Sequence, residues 1–258
     1  MSSQAKIRIV HHLARTGGTV ICRCLASMES VVLLSEIHPL GTQTFNPVHQ
    51  AHTWYGLLND KDLDSARSGR LSFLEAIELI SRRCSEQDRI LVLRDWSHLD
   101  YTGVPFTQPG YRSLLAEKLQ SSFALVRYST VRHPLDQWLS VAQQPVFRER
   151  LGPARFLRGA SRFAEAAVQT GFMRFEDFTR DNEIALRQLC AGLELEFDPG
   201  YREKWQAYTH VTGDVLPGRG SGAHITPLPR QAMDENEKRR FCSLPQYQAI
   251  IESLGYDE

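Results

Sequence analysis

The segment from Arg15 to Thr19 carries side chains and glycines that could together hold a phosphate group. It reads Arg15-Thr16-Gly17-Gly18-Thr19 and lies between an apolar, β-prone run and a stretch with helical spacing of apolar residues. A strand, a tight loop and a helix would place free backbone N–H groups and the positive end of the helix dipole at the glycines. The guanidinium of Arg15 and the threonine hydroxyls add further donors. The purely structural interpretation is a tight turn with a threonine cap.

A second segment with anion-binding chemistry runs from Arg132 to Ser140. Arg132 follows a predicted strand, and Pro134 and Asp136 suit the first turn of the helix that comes next. Ser140 comes about two helical turns later, on the face that Arg132 can share. One phosphate could therefore contact both side chains. The structural alternative is an arginine at a helix N-terminus and a solvated serine.

Acid–base side chains follow the second and third predicted strands, and a carboxylate or neutral imidazole there could act as a general base. The candidates are Glu36, His38, Asp95 and His98. Each also has a structural interpretation: Glu36 could pair with a core arginine, Asp95 could pair with Arg94 or Arg132, and either histidine could be a buried, hydrogen-bonded side chain.

The order of predicted elements indicates how these residues come together. Apolar runs predict strands at 7–11, 31–35, 90–93, 123–131 and 171–175, and helical spacing predicts helices at 71–84, 154–168, 181–193, 234–241 and 246–254. Alternating strands and helices are typical of an α/β domain with a mostly parallel central sheet and helices on both faces. Ligands of such folds bind beyond the carboxyl ends of the strands, where the candidate residues lie. We expect a single domain over residues 1–258.

Composition excludes several classes of protein. Of 258 residues, 42% are hydrophobic and 23% charged, and 30 basic residues balance 30 acidic ones, which argues against a general nucleic-acid or anionic-membrane binder. No apolar run is long enough to span a bilayer. The five cysteines are scattered, and the Cys22-Arg23-Cys24 spacing suits neither zinc nor redox chemistry, so we expect reduced thiols and a cytoplasmic protein. The pair His49 and His52 is a weak metal signal.

The two anion-binding segments together resemble those of the PAPS-dependent sulfotransferase family, which binds 3′-phosphoadenosine 5′-phosphosulfate (PAPS) through two loops. Arg15-Thr16-Gly17-Gly18-Thr19 is similar to the family loop that holds the 5′-phosphosulfate. Arg132-His133-Pro134 through Ser140 is similar to the loop that holds the 3′-phosphate. Weaker similarities are Phe175-Glu176-Asp177 and Arg219-Gly220-Ser221-Gly222, the latter resembling a loop near 210–230 that covers the nucleotide.

The resemblance implies a P-loop NTPase-like architecture and transfer of a sulfuryl group from PAPS to a hydroxyl or amine. The acceptor would be a carbohydrate or a small molecule, the displacement in-line, and no metal would be needed. The residues implied in catalysis are Arg15, Glu36 and His98. Those implied in nucleotide binding are Arg15, Thr16, Gly17, Gly18, Thr19, Val20, Arg132, Ser140, Arg219 and Gly220.

The sequence departs from the family pattern at two positions. Arg15 replaces the usual lysine and should act electrostatically, because arginine is a poor proton donor. Val20 stands where many members have a tryptophan that packs on adenine, and Trp54, Trp138 or Phe175 could take that role.

Two other functions stay open at this point. One is a P-loop kinase or ATPase, although the loop lacks the lysine of that motif and no acidic pair at a strand end is evident for magnesium. The other is a non-catalytic anion-binding module. In the enzyme, the acceptor would be bound by segments 41–55 and 101–111, which follow the strands with the candidate bases.

Overall fold

A five-stranded parallel sheet forms the centre of the protein. The computed structural model describes residues 4–67, 69, 71–213, 225–227 and 229–257. The strands are β1 (Lys6–His12), β2 (Val31–Ile37), β3 (Ile90–Asp95), β4 (Ala124–Val131) and β5 (Phe172–Arg174). They are ordered β2-β3-β1-β4-β5, and the pairings between neighbours are parallel. This confirms the predicted fold class.

Helices connect the strands and cover both faces of the sheet. The described residues contain α1 (Gly18–Ala26), α2 (Pro47–Thr53), α3 (Asp60–Arg67), α4 (Phe73–Ser85), α5 (His98–Tyr101), α6 (Leu114–Leu119), α7 (Pro134–Ala142), α8 (Pro145–Arg148), α9 (Pro153–Thr170), α10 (Phe175–Arg180), α11 (Asn182–Gly192), α12 (Tyr201–Lys204), α13 (Glu235–Cys242) and α14 (Pro245–Leu254). None of them is long and apolar enough to cross a bilayer.

Alternation along β1 separates two hydrophobic cores. Val10 packs with α1 and α11 on one side of the sheet, which we call the α1 face. Ile7 and Ile9 pack with α4 and α6 on the other side, the α4 face. Because successive strand residues point to opposite faces, His12 lies on the α1 face and His11 on the α4 face. The last two residues of β1 therefore belong to different environments.

A third core lies beyond the carboxyl ends of β1 and β4. Leu13, which follows β1, and Val131, the last residue of β4, pack there with apolar side chains of α7, α9 and α14. The contact anchors the start of both loops that the sequence singled out as anion-binding. The position of both loops therefore depends on a buried apolar cluster, whereas most loops are exposed and variable.

Segment 41–55 contains a helix that is not among those predicted from the sequence. It contains α2, whose N-cap Asn46 accepts hydrogen bonds from the N–H groups of Val48 and His49. Pro47 occupies the first helical position, as expected for a helix start. The Asn-Pro signal was present in the sequence, but the helix is too short to give a clear apolar period.

Gly159 allows α9 to approach the end of α5 closely. A Cβ at this position would overlap the backbone carbonyl of Tyr101. In an open helix the change to alanine would be favourable by about 1 kcal/mol. We expect Gly159→Ala instead to lower the free energy of unfolding by about 1–3 kcal/mol in urea denaturation, because of overpacking.

The matched control is Gly110→Ala, where the nearest heavy atom would be 4.0 Å from the new Cβ. This variant should unfold within about 0.5 kcal/mol of the wild type. A Gly159→Ala protein as stable as the control would contradict the close contact.

Candidate active site

The first backbone N–H groups of α1, which follow the loop after β1, have no acceptor within the helix or in the other described residues. Gly17 is the N-cap of α1, with φ 78°, and a Cβ there would also overlap the ring of Phe175. Both the left-handed backbone and the close contact require glycine. The N-cap makes no side-chain hydrogen bond, and the first turn of α1 holds no acidic residue. Those N–H groups are therefore open to an anionic ligand.

The two anion-binding segments are in direct contact. Arg15 Nε donates to Ser140 Oγ at 2.9 Å, and Arg132 Nη1 donates to the backbone oxygen of Arg15 at 3.1 Å. Gln137 Nε2 also donates to the backbone oxygen of Ala14, at 2.8 Å. The sequence expectation was that both segments face one pocket. The structure brings them together because β1 and β4 are neighbours and end at the same edge.

Residues 175–177 support the second of these loops. The guanidinium of Arg132 lies over the ring of Phe175, 5.1 Å from its centroid, and burial lowers the pKa of Arg132 from its ordinary value. Glu176 accepts hydrogen bonds from the backbone N–H of His133 at 3.0 Å and from the hydroxyl of Tyr256 at 2.9 Å. This carboxylate positions the start of α7. Phe175 thus contacts both loops, through Gly17 and through Arg132.

Arg94 is a site residue that the sequence analysis missed. It is 3% exposed, and its Nε donates to His12 Nε2 at 2.9 Å. Its Nη1 donates to Ser35 Oγ at 3.0 Å and to the backbone oxygen of Thr212 at 2.7 Å. Its Nη2 lies 3.6 Å from a carboxylate oxygen of Glu36. This buried cation therefore joins β1, β2 and the segment before residue 213.

The sequence contained a signal that could have identified Arg94. Adjacent strand residues point to opposite faces, so Arg94 and Asp95 cannot share one environment. Arg94 lies on the α1 face, and Asp95 lies on the α4 face, where it binds His11 Nδ1 at 2.6 Å. The suggested pairing of Asp95 with Arg94 or Arg132 was wrong.

Glu36 is held beside this cation. It is 7% exposed, and its Oε2 accepts a hydrogen bond from Thr212 Oγ1 at 2.8 Å. A Cβ on Gly213 would lie 2.7 Å from Thr19 Oγ1 and 3.5 Å from Arg94 Nη2. Thr19, Arg94 and Glu36 therefore border one small volume. Glu36 therefore pairs with a buried arginine, which is the structural role considered for it in the sequence analysis. It also lies near the carboxyl end of β2.

Two of the candidate residues have left-handed backbones. Arg15 has φ 70° and Glu36 has φ 55°. Non-glycine residues pay roughly 1–2 kcal/mol for this conformation, and such residues cluster at functional sites. In both cases the position lies at the carboxyl end of a strand.

The histidine candidates are committed to other partners. His98 Nε2 accepts a hydrogen bond from Trp96 Nε1 at 2.7 Å, and burial together with the charge of Arg94 lowers the pKa of His98 to about 3. His38 uses Nε2 toward Asp100 at 3.1 Å and Nδ1 toward the N–H of Leu40 at 3.1 Å. Both ring nitrogens of His38 are thus occupied, and the lowered pKa of His98 makes its ring a poor proton acceptor. The geometry leaves Glu36 as the strongest base candidate.

Asp95 is fully buried among hydrogen-bond donors. Burial would raise the pKa of Asp95, but its hydrogen bond and electrostatic interaction with His11 outweigh burial and hold that pKa below its ordinary value. The hydroxyls of Ser97 and Ser113 also donate to its Oδ2, at 3.0 and 3.1 Å. Asp95 therefore stays ionised on the α4 face, away from Arg94 and Glu36.

Three other side chains considered for nucleotide binding already have partners within the protein. Thr16 Oγ1 donates to the backbone oxygen of Leu13 at 2.9 Å, so its hydroxyl stabilises the loop instead of presenting a donor. Trp138 packs in the third core against Phe156 and Phe241. Trp54 stacks on His210 with a centroid distance of 5.8 Å.

Val20 packs partly buried against the α1-face core. Arg219 and Gly220 lie outside the described residues. The chain on either side of them reaches the site: Thr212 binds Arg94 and Glu36, and Arg230 Nε binds Asp136 of α7 at 2.8 Å. In the described part of the chain, no group of three or more His, Cys, Asp and Glu side chains could hold a metal ion.

Comparisons with known proteins identify the fold. No protein-family model matches the sequence, and no curated protein matches it. The structure superposes on the sulfotransferase domain from the curacin biosynthetic pathway with a TM-score of 0.63 and 17% identity, over 99% of each chain. It also superposes on the sulfotransferase domain from the Synechococcus PCC 7002 olefin synthase, with a TM-score of 0.65 and 15% identity, over 100% of this chain and 98% of that one. The protein therefore has the sulfotransferase fold.

Buried neutral histidines make the stability of this site pH-dependent. The pKa of His98 is about 3 in the folded chain, and burial with the charge of Arg94 holds the pKa of His12 well below its ordinary value. Below about pH 6.5 the unfolded chain takes up protons that the folded chain does not. We expect His98 alone to lower the free energy of unfolding by about 1.6 kcal/mol between pH 6.5 and pH 5.

Urea denaturation at pH 7.5, 6.5 and 5 measures this loss. His98→Gln keeps an acceptor for Trp96 Nε1 and should flatten the pH dependence by that amount. His49→Gln, at an exposed position, should leave it unchanged. A wild-type stability that is flat from pH 6.5 to pH 5 would contradict the neutral, buried state of His98.

Proposed function

We propose that this protein is a PAPS-dependent sulfotransferase that transfers a sulfuryl group to the hydroxyl of a small molecule. The observation that carries the proposal is the contact between the two anion-binding loops, in which Arg15 reaches Ser140 and Arg132 reaches the backbone of Arg15. A nucleotide with phosphates at both its 5′ and 3′ positions needs two anion sites at a fixed separation. The sulfotransferase fold agrees with this assignment.

The 5′-phosphosulfate would bind at the N-terminus of α1. The open N–H groups from Gly18 onward and the hydroxyl of Thr19 would face its oxygens. The 3′-phosphate would bind Arg132 and Ser140, with the guanidinium of Arg15 bridging toward the first loop. Phe175 lies at the junction of the loops, buried between Gly17 and Arg132, and would hold the two loops in place. Arg219 and Gly220 are proposed to complete the nucleotide site.

The reaction would be an in-line displacement at sulfur. The acceptor oxygen forms a new S–O bond, the bond from sulfur to the 5′-phosphate oxygen breaks, and adenosine 3′,5′-bisphosphate leaves with that electron pair. Glu36 takes the proton of the acceptor hydroxyl. Arg15 and the N–H groups of α1 stabilise the charge that develops on the leaving oxygen.

Arg94 acts in this scheme as a positioning residue. Its Nη2 lies 3.6 Å from a carboxylate oxygen of Glu36. Its hydrogen bond to His12 supports the first anion-binding loop, because Gly18 packs directly on the His12 ring. The same guanidinium holds Thr212, which donates to Glu36. The base and the first anion-binding loop are thereby connected through one side chain.

Aromatic side chains near the strand edge favour an acceptor with an apolar body. Trp96 contacts Phe45 at 4.8 Å and Phe106 at 5.7 Å between ring centroids. Phe106 is 53% exposed and Leu40 is 59% exposed. Both segments expected to bind the acceptor, 41–55 and 101–111, contribute to this cluster. Exposed aromatic and aliphatic groups suit an aryl or alkyl alcohol better than a highly charged glycan.

The Arg132→Ala variant tests the second anion site. We expect its affinity for adenosine 3′,5′-bisphosphate to fall at least about tenfold in calorimetric titration, because a charge-assisted contact is lost. Arg82→Ala, at an exposed position of α4, is the matched control and should bind as the wild type does. Equal affinities of the two variants would refute the assignment.

The Glu36→Gln variant tests both the base and the activity. Transfer from radiolabelled PAPS is measured over phenolic, aliphatic and glycan acceptors, with the exposed Glu29→Gln as control. We expect turnover of the wild type and of Glu29→Gln, and a loss of at least about 100-fold in Glu36→Gln with bisphosphate affinity retained. Transfer to no acceptor would oppose the enzyme function and favour a binding module. ATP hydrolysis with no response to PAPS would favour a P-loop ATPase.

A further inference from the structure

The pairing of β2 with β3 contains a bulge at the carboxyl end of β2. The register of the two strands shifts by one residue between Leu34 and Ile37. Ser35 and Glu36 therefore lie together opposite a single residue of β3, Arg94. Neighbouring residues of a regular strand point to opposite faces, but here both side chains reach the guanidinium, at 3.0 Å from Ser35 Oγ and 3.6 Å from Glu36 Oε1. Bulges of this kind re-aim side chains next to active sites.

A buried amide of α2 holds this bulge in place. Gln50 Oε1 accepts a hydrogen bond from the backbone N–H of Ser35 at 2.6 Å, and Gln50 Nε2 donates to the backbone oxygen of Ser35 at 2.8 Å. Gln50 is buried, and Glu36, the residue after Ser35, has a left-handed backbone. A strained backbone persists only where its surroundings fix it, and the amide of Gln50 supplies that restraint.

The hydrogen bonds of the Ser35 hydroxyl have a defined direction. Its oxygen accepts from Arg94 Nη1 at 3.0 Å and from the backbone N–H of Thr212 at 3.1 Å. A hydroxyl oxygen has two lone pairs and one proton, so both lone pairs are used and the proton remains to be donated. Thr212 Oγ1 lies 2.8 Å away. Ser35 therefore donates its proton to Thr212.

The Thr212 hydroxyl continues the chain to the carboxylate of Glu36. Because Thr212 Oγ1 accepts from Ser35, its own proton is donated to Glu36 Oε2, at 2.8 Å. The chain thus runs from Arg94 through two hydroxyls to Oε2, and hydrogen bonds in such a chain strengthen one another. The other carboxylate oxygen, Oε1, accepts no hydrogen bond from the described residues, since Arg94 Nη2 is 3.6 Å away.

We propose that Ser35 and Thr212 are positioning residues that make Glu36 Oε1 the atom that takes the acceptor's proton, an inference that rests on the proposed sulfotransferase function. Oε2 is engaged by the Thr212 hydroxyl, and a proton placed there would weaken that hydrogen bond. As the new S–O bond forms, the proton of the acceptor hydroxyl moves to Oε1, and it passes to water after the products leave. It does not leave through the two hydroxyls, because the chain ends in N–H donors of Arg94 and Thr212.

Thr212→Val tests the hydroxyl, because valine keeps the shape of the side chain and the backbone contacts of residue 212 with Arg94 and Ser35. In transfer from radiolabelled PAPS, we expect kcat to fall at least about tenfold, with the KM for PAPS and the affinity for adenosine 3′,5′-bisphosphate unchanged. Thr212→Ser keeps the hydroxyl and should restore kcat to within about threefold of the wild type. The control Thr209→Val, at an exposed position of the same segment, should transfer as the wild type does.

A double-mutant cycle in urea tests the hydrogen-bond chain without measuring activity. Ser35→Ala and Thr212→Val break the same hydrogen bond, so the double variant should lose less of its urea midpoint than the sum of the two single losses. The proposal is overturned if Thr212→Val and Thr212→Ser have the same kcat, or if the midpoint losses add. Non-additive losses in a chain whose wild type transfers to no acceptor would refute the sulfotransferase function, and with it the role of Oε1, while confirming the chain itself.

Discussion

A single buried cation organises the carboxyl edge of this sheet. A guanidinium removed from water must be compensated by hydrogen bonds and opposite charge, because an unpaired buried charge costs several kcal/mol. The partners of Arg94 come from separate parts of the chain: His12 from β1, Ser35 and Glu36 from β2, and Thr212 from the segment before residue 213. Burying Arg94 therefore requires all of these segments to be in place together.

The order of the strands explains why distant segments form one site. β1 lies between β3 and β4, so the loop after β1 is next to the end of each. On the β4 side, this loop contacts Ser140 and Arg132. On the β3 side, it is next to His12, which accepts a hydrogen bond from Arg94. Phe175, which follows β5, fills the space that the missing side chain of Gly17 leaves. The glycine and the aromatic ring thus form one packing unit across two strands.

Much of the fold could be predicted from the sequence, because its signals are local. The strands of the sheet are apolar runs, and Asp181 caps α11 through the N–H of Ile184, as its position before an apolar helical pattern predicts. The proximity of Arg132 to Arg15 could be inferred from strand-edge geometry once the sheet was taken to be parallel.

The pairings of buried polar groups were harder to infer. Arg94, His12 and Thr212 are distant in the sequence, and their association depends on which face each side chain takes. The hydroxyl of Thr16 cannot donate to a ligand because it donates to Leu13, and Nε2 of His98 cannot accept a substrate proton because it accepts from Trp96. Composition and spacing do not reveal these hydrogen bonds. Short helices such as α2 escape detection because one or two turns do not establish a period.

The left-handed backbones of Arg15 and Glu36 have a consequence for the evolution of this chain. Glycine or asparagine at either position would relieve the backbone strain, but selection for thermostability alone would favour the loss of Arg15 and not of Glu36, whose carboxylate lies beside the buried Arg94. Their presence means that the folded chain tolerates a less stable backbone at two strand ends. Variants selected only for heat resistance should therefore replace Arg15 and retain Glu36, whereas variants selected for turnover should retain both residues.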